Sequence, residues 1–498
     1  KTKDAPRTPP RPLDPPSDRP YLFDRLRKLD VSLLADTLHW DTLSHHKFNI
    51  TAATPANVVE RLQGDSELYY HLWVAVRKTI PEDYSTKYGQ ATVVSYFKPR
   101  VFQQFQAELG NALTDFVAGP HITFVDPREH WNVESMRQHA NGLVSRLEKL
   151  GRHKRNIIVS PARRLDTGDQ PGPRGARLLQ REDGVKVNMA LVSHVVQAAY
   201  CADAGAFSIT VPVREMIDWH RVRTGIVYPN LHRHPAFVDI QTIAAYYRIH
   251  DIHIAVIGGS LDHEDEACPL AALDAIAFNQ QQARNAEWYN TYPHMNAKLP
   301  DTAVRRARTV QRPQKFSSPQ RSYNIAKVVS SETYSMIGAI LYGGLGRAKA
   351  EMDVIDEIVE RAIVQHLETQ ACLVERAASG RSSNIAKGKR KKEGTDTPTP
   401  PRLKKTQRVA EDERGQDRWF NSLMHELVVT KGYTDDEDAR RPPTRQALSP
   451  HQERTDPVQK KRVSWAPSVK ASSSPVGCAR PERRTTTPHV VDPMDEVF

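Results

Sequence analysis

Cysteine is scarce: four residues, Cys201, Cys268, Cys372 and Cys478, in a chain of 498. They are widely spaced, with no CxxC pair and no metal-ligand rhythm. That argues against a disulfide framework or a structural zinc site and predicts reduced thiols in a cytoplasmic or nuclear protein. Nor does any run approach the roughly 20 apolar residues that a membrane helix requires, so no membrane partner is expected. No G-x-G-x-x-G follows the first apolar run and no P-loop occurs, which leaves no support for a nucleotide site and implies no cofactor. The opening KTKDAPRTPPRPLDPPSDRP is polar and Pro-rich, unlike the basic-then-apolar order of a secretory signal.

What is present is unevenly distributed. The 35 prolines are bunched towards both ends. The net charge of +11 comes largely from the C-terminal third, so the folded part need not bind polyanions and nucleic acid is not an expected partner. Three regions follow: a disordered Pro-rich segment over 1–20, a folded domain over 21–375, and a disordered basic Ser/Thr/Pro-rich tail over 376–498.

Inside the folded region, short apolar runs alternate with longer helical patterns. Strands are predicted over 31–37, 48–53, 121–127, 156–161, 185–192, 206–213, 253–259 and 273–278. They are almost continuously apolar, as parallel strands covered on both faces should be. Eight strand–helix alternations over about 250 residues predict an α/β fold, a (β/α)8 TIM barrel. After the eighth strand, an Arg-rich interval leads into a long helical pattern from Ser331. Its stripe of Met352, Ile355, Ile358, Ala362, Ile363 and His366 should pack on the outside of the barrel.

The segment GVKVNMALVSHVVQAAYCADAGAFSITVPVREMIDWHRVRTG, with the later HPAFVDIQTIAAYYRIHDIHIAVIGGSL, resembles the transaldolase family. Asn188, the run Cys201 to Gly205, Asp218, Trp219, Tyr246, Tyr247, Gly258 and Ser260 fall in that family's order. The resemblance extends weakly back to VSLLADT and implies a barrel built for Schiff-base ketol transfer between sugar phosphates in the pentose phosphate pathway. Such chemistry needs a lysine amine as electron sink, carboxylates to move protons, hydroxyls and amides for the sugar, and two arginines for the phosphate.

Carried over position by position, the family's machinery is mostly absent. Asp36 matches the first-strand aspartate, a remnant proton carrier or a polar cap at a strand end. Thr54 stands for the second-strand Asn, Phe124 for the third-strand Glu, and Val159 for the Schiff-base lysine. Ala190 replaces the fifth-strand Thr, and Thr210 the sixth-strand Ser. Glu215 and Asp262 occupy the places of the two phosphate arginines. No lysine lies between Lys154 and Lys186, and both of these map to the amino ends of strands, away from the catalytic face. The resemblance with these replacements implies an inactive homologue with a binding or regulatory role. The alternative is an active transaldolase or related aldolase working with Asp36, Asn188 and Thr210 on a sugar phosphate.

Other polar features read as structural. Asp126 with Arg128 is expected to form an ion pair, and the histidines of NLHRHP and YRIHDIHI lack the spacing of a metal site. In the tail, KGKRKK and RLKK (387–405) look like a bipartite signal for importin, or else a solvated basic linker. KKRVSWAP (460–467) resembles the docking motif of type 1 protein phosphatase, with Val463 and Trp465 alternating along an extended strand. RWFNSLMHELVV (418–429) has an apolar face suited to folding on a partner.

Overall fold

The computed structural model describes residues 21–64, 66–81, 89–161, 171–288, 295, 297–310, 325 and 328–387. The Pro-rich N-terminal segment lies outside these residues, as do Val463, Trp465, the phosphatase-like and amphipathic stretches, and the import-like signal beyond its first residue.

Eight strands form where the apolar runs predict them, each shorter than its run because the ladder stops where the chain turns into a helix: β1 (Ser32–Ala35), β2 (Ile50–Ala52), β3 (His121–Phe124), β4 (Ile157–Ser160), β5 (Lys186–Met189), β6 (Ser208–Pro212), β7 (Ala255–Gly259) and β8 (Ala275–Phe278). Every strand pairs in parallel with the next. β8 returns to β1 with Ser32 opposite Ala275 and Ala35 opposite Phe278, so the sheet closes into a barrel.

Helices fill the crossovers: α1 (Leu22–Lys28), α2 (Trp40–His45), α3 (Pro55–Gly64), α4 (Ser66–Thr79), α5 (Gln90–Phe116), α6 (Val133–Lys149), α7 (Pro171–Arg181), α8 (Val195–Ala204), α9 (Val213–Thr224), α10 (Pro235–Ile249), α11 (Gln280–Trp288), α12 (Asp301–Thr309) and α13 (Ser331–Lys387). The turn in CADAG shows how sequence sets a boundary. Gly205 ends α8 in the left-handed conformation at φ 78°, which a side chain would strain, and the chain then enters β6.

The period-two alternation of strand side chains sorts the core into two layers. Leu33, Ala35, Val159, Val187, Met189, Ile209, Val211, Val256, Ile276 and Phe278 face outward and merge with the helices in one apolar cluster. Leu34, Ala52, Ile122, Ser160, Asn188, Thr210, Ile257 and Ala277 face inward, towards the cavity at the carboxyl end.

The long helix α13 divides its work. Met352, Ile355, Ile358, Val359, Ala362, Ile363 and Leu367 are buried where α13 crosses α3, α4 and α5, as the sequence stripe predicts. His366 is buried beside the Trp73 ring. The part of α13 before this stripe has a different place. Gly344, Leu345, Arg347, Ala348 and Glu351 lie over the barrel mouth and line its cavity. Arg128 locks the helix there: it binds Asp126 through Nε and Nη2, and its Nη1 donates to Asp353 at 3.0 Å and Asp356 at 2.9 Å. The expected Asp126–Arg128 pair is therefore one corner of a network that ties the loop after β3 to the C-terminal helix.

Candidate functional site at the barrel mouth

A cavity of about 450 Å³ opens at the carboxyl ends of the strands. Strand ends there project side chains into a common space, because each strand passes into a loop at this face. Asp36, Thr54, Phe124, Asn188, Ala190, Thr210 and Glu215 all line it, so the sequence-derived positions, altered as most of them are, come together in one place.

Val159 does not join them. It is fully buried in the outer apolar layer, whereas Ser160, one residue on, lines the cavity. β4 pairs with β3 so that Ser160 sits opposite Phe124 and Val159 opposite Thr123, and only the Ser160–Phe124 level faces inward. Val159, the position that the resemblance assigns to the lysine, therefore does not reach the cavity, and Ser160 beside it does. The consequence for chemistry is unchanged, since neither residue is an amine. Among the described residues no lysine lines the mouth. Lys154 and Lys186 bind at the opposite end, where Lys154 Nζ donates to the Asp183 carbonyl at 2.5 Å and Lys186 Nζ to that of Arg155 at 2.6 Å.

Asp36 follows β1 and lines the cavity. Burial pushes its carboxyl up to about 6, opposed by a hydrogen bond from Asn57 and reinforced by the nearby Glu60 carboxylate. Asn57 is a site residue that the sequence alone did not reveal. Its Nδ2 donates to Asp36 Oδ1 at 3.3 Å and to the Ala52 carbonyl at 3.0 Å, while its Oδ1 accepts from the Thr54 amide at 2.8 Å. Thr54 Oγ1 accepts from the Asn57 amide in return, so the start of α3 is capped by the same pair that holds the carboxylate. The Thr-x-x-Asn spacing carries that capping signal, but not its reach to Asp36.

Across the mouth, Asn188 anchors a hydroxyl cluster. Its Oδ1 accepts from Ser208 Oγ at 3.0 Å and Thr210 Oγ1 at 3.1 Å, and its Nδ2 donates to Ser160 Oγ at 3.4 Å. Phe124 fills the third-strand position with an aromatic ring that also meets Phe102 of α5, at 6.0 Å between centroids.

Electrostatics at the rim differ from what the substitutions alone suggest. Glu215 and Asp262, the positions that the resemblance assigns to two arginines, each pair with a cation. Arg347 Nη2 of α13 donates to Glu215 Oε1 at 2.5 Å, and Arg214 pairs with Asp262. Arg214 and Arg347 line the cavity, and Asp262 stands behind Arg214 outside the lining. The rim is therefore a set of ion pairs with surplus carboxylates, Asp36 and Glu351, the latter raised by burial and restrained by Arg347. Glu215 Oε2 is buried without a hydrogen-bond partner among the described residues.

Two non-glycine residues at this rim, Leu191 after β5 and Ser260 after β7, adopt left-handed backbone at φ 59° and 56°. Such strain costs about 1–3 kcal/mol per residue and collects at functional sites. Leu191 meets the covering helix: a Cβ on Gly344 would lie 2.7 Å from Leu191 Cδ1, so a side chain there would have to displace the Leu191 side chain. Among the described residues no cluster of three or more His, Cys, Asp or Glu is arranged to hold a metal ion.

Fold and mouth together define a (β/α)8-barrel protein with a largely apolar cavity, studded with polar and charged groups, at the carboxyl end of its strands. Sequence comparison then places it beside transaldolases. It is 27% identical over 205 residues to the transaldolase of Methylomonas aminofaciens, covering 41% of this chain and 61% of that protein. It is 30% identical to the one from Cellvibrio japonicus, over 35% of this chain and 52% of that protein, and 25% identical to the one from Saccharomyces cerevisiae, over 40% and 56%. The chain is a divergent, transaldolase-like barrel, and it spans about half to three fifths of the length of these relatives. No family model matches it.

Proposed function

We propose that this barrel no longer performs ketol transfer and serves as a binding or regulatory protein. The supporting observation is the cavity lining, to which β4 contributes Ser160 and in which no lysine appears among the described residues. Without an amine, no iminium can form to withdraw electrons from a ketone, and hydroxyl groups cannot replace it in that step. The loss of the third-strand carboxylate to Phe124 removes a proton carrier as well. What persists is a shaped, largely apolar cavity that presents Asp36, Asn188 and Thr210, which suits recognition. The regulatory part of the reading rests on the tail, with its importin-like signal at 387–405 and phosphatase-docking motif at 460–467.

Borohydride reduction of the full chain in the presence of fructose 6-phosphate tests the reading. It should give no covalent adduct by intact mass. An added sugar mass on any lysine would restore the enzyme hypothesis.

A further inference from the structure

We infer that the barrel mouth takes a small organic cation, a protonated amine bearing hydroxyl groups, rather than a sugar phosphate. This rests on the reading of the mouth as a binding site and deepens it by naming the ligand class.

Charge pairing carries the argument. The cavity wall holds Asp36, Glu215 and Glu351 against Arg214 and Arg347, with Asp262 behind Arg214. Both guanidinium groups are engaged, Arg214 by Asp262 and Arg347 by Glu215, and Arg347 also lies within electrostatic reach of Glu351. An incoming phosphate dianion would meet two guanidinium groups already neutralised by Asp262 and Glu215, next to the further carboxylates of Asp36 and Glu351. An ammonium group meets the opposite field. It can donate to the carboxylates that line the cavity, and its charge offsets the surplus of Asp36 and Glu351.

The remaining wall fits the rest of such a molecule. Asn188 with Ser160 and Thr210 offers amide and hydroxyl groups for ligand hydroxyls. Phe124, Ile122 and Ile257 provide apolar surface for its carbon face, and an aromatic ring in this position favours a cation over an anion. The volume of about 450 Å³ accommodates a molecule of hexose size.

Calorimetric titration of the full chain at pH 7 with glucosamine, glucose and fructose 6-phosphate provides the test. Glucosamine should bind about tenfold or more tighter than glucose, the difference of one charge-assisted contact, with fructose 6-phosphate weakest. Glu215→Gln should cost glucosamine about tenfold and, by freeing Arg347, improve fructose 6-phosphate. Should that variant fail to fold, Glu351→Gln is expected to move both affinities in the same directions. The inference is overturned if fructose 6-phosphate binds as tightly as glucosamine, if glucosamine binds no better than glucose, or if none of the three binds. An adduct in the borohydride experiment would sink the binding reading itself, whereas loss of amine preference without an adduct would sink only the ligand class.

Discussion

Asp36 shows at the scale of one residue how a site is held against stability. Its carboxyl is pushed up to about 6 in the folded protein from its ordinary 3.8, chiefly because burial disfavours the charged form. The native state therefore keeps a proton that the unfolded chain releases. The stability linked to this group is fully present below the unfolded value and is lost as pH rises through about 6. Asp36→Asn removes the ionisation while Asn57 can still donate to its side-chain oxygen. We expect it to raise stability at pH 7.5 by about 2 kcal/mol and to leave stability at pH 4 nearly unchanged, as urea titrations at the two pH values would show. Equal effects at both would mean that the carboxylate is not desolvated. Parity is the other residue-scale lesson. Val159 and Ser160 are neighbours in sequence, and only the pairing of β4 with β3 decides which of them meets the cavity.

Among the elements, α13 does two jobs with one stretch of helix. Its apolar stripe is legible in the sequence because Ile355, Ile358, Ala362 and Ile363 recur at helical spacing. Ile363 is fully buried, and Ile363→Ala should destabilise the barrel by about 2–5 kcal/mol, read from the denaturation midpoint. The covering role of the upstream turns has no periodic signature, since Gly344, Arg347 and Glu351 look like ordinary solvent-facing helix positions. A side chain at Gly344 would overlap Leu191, so Gly344→Val should push this part of the helix away from the mouth. Hydrogen exchange over residues 340–351 is expected to speed up in that variant while exchange in β1 to β8 stays slow. Unchanged exchange over 340–351 would show that the helix does not depend on this contact.

For the whole molecule, the described fold ends inside α13, and its buried residues run from Leu22 to Leu367. We expect a chain truncated after Lys387 to unfold at the same temperature as the 498-residue chain, within the error of differential scanning calorimetry. A clear drop would mean that residues beyond 387 contribute to the barrel. The sequence by itself determined the barrel: apolar runs of strand length, spaced by helical periods, leave few ways to bury both faces of a parallel sheet, and all eight strands were legible from that constraint. It also determined that no lysine lies between 154 and 186, a fact of composition that needs no coordinates. Tertiary structure alone decided the charge of the mouth. Arg347 and Glu215 are 132 positions apart, and Asp36 and Asn57 belong to different strand–helix units. Local sequence reports propensity and period, but the field at a cavity is the sum over groups that the folded chain brings together from distant positions.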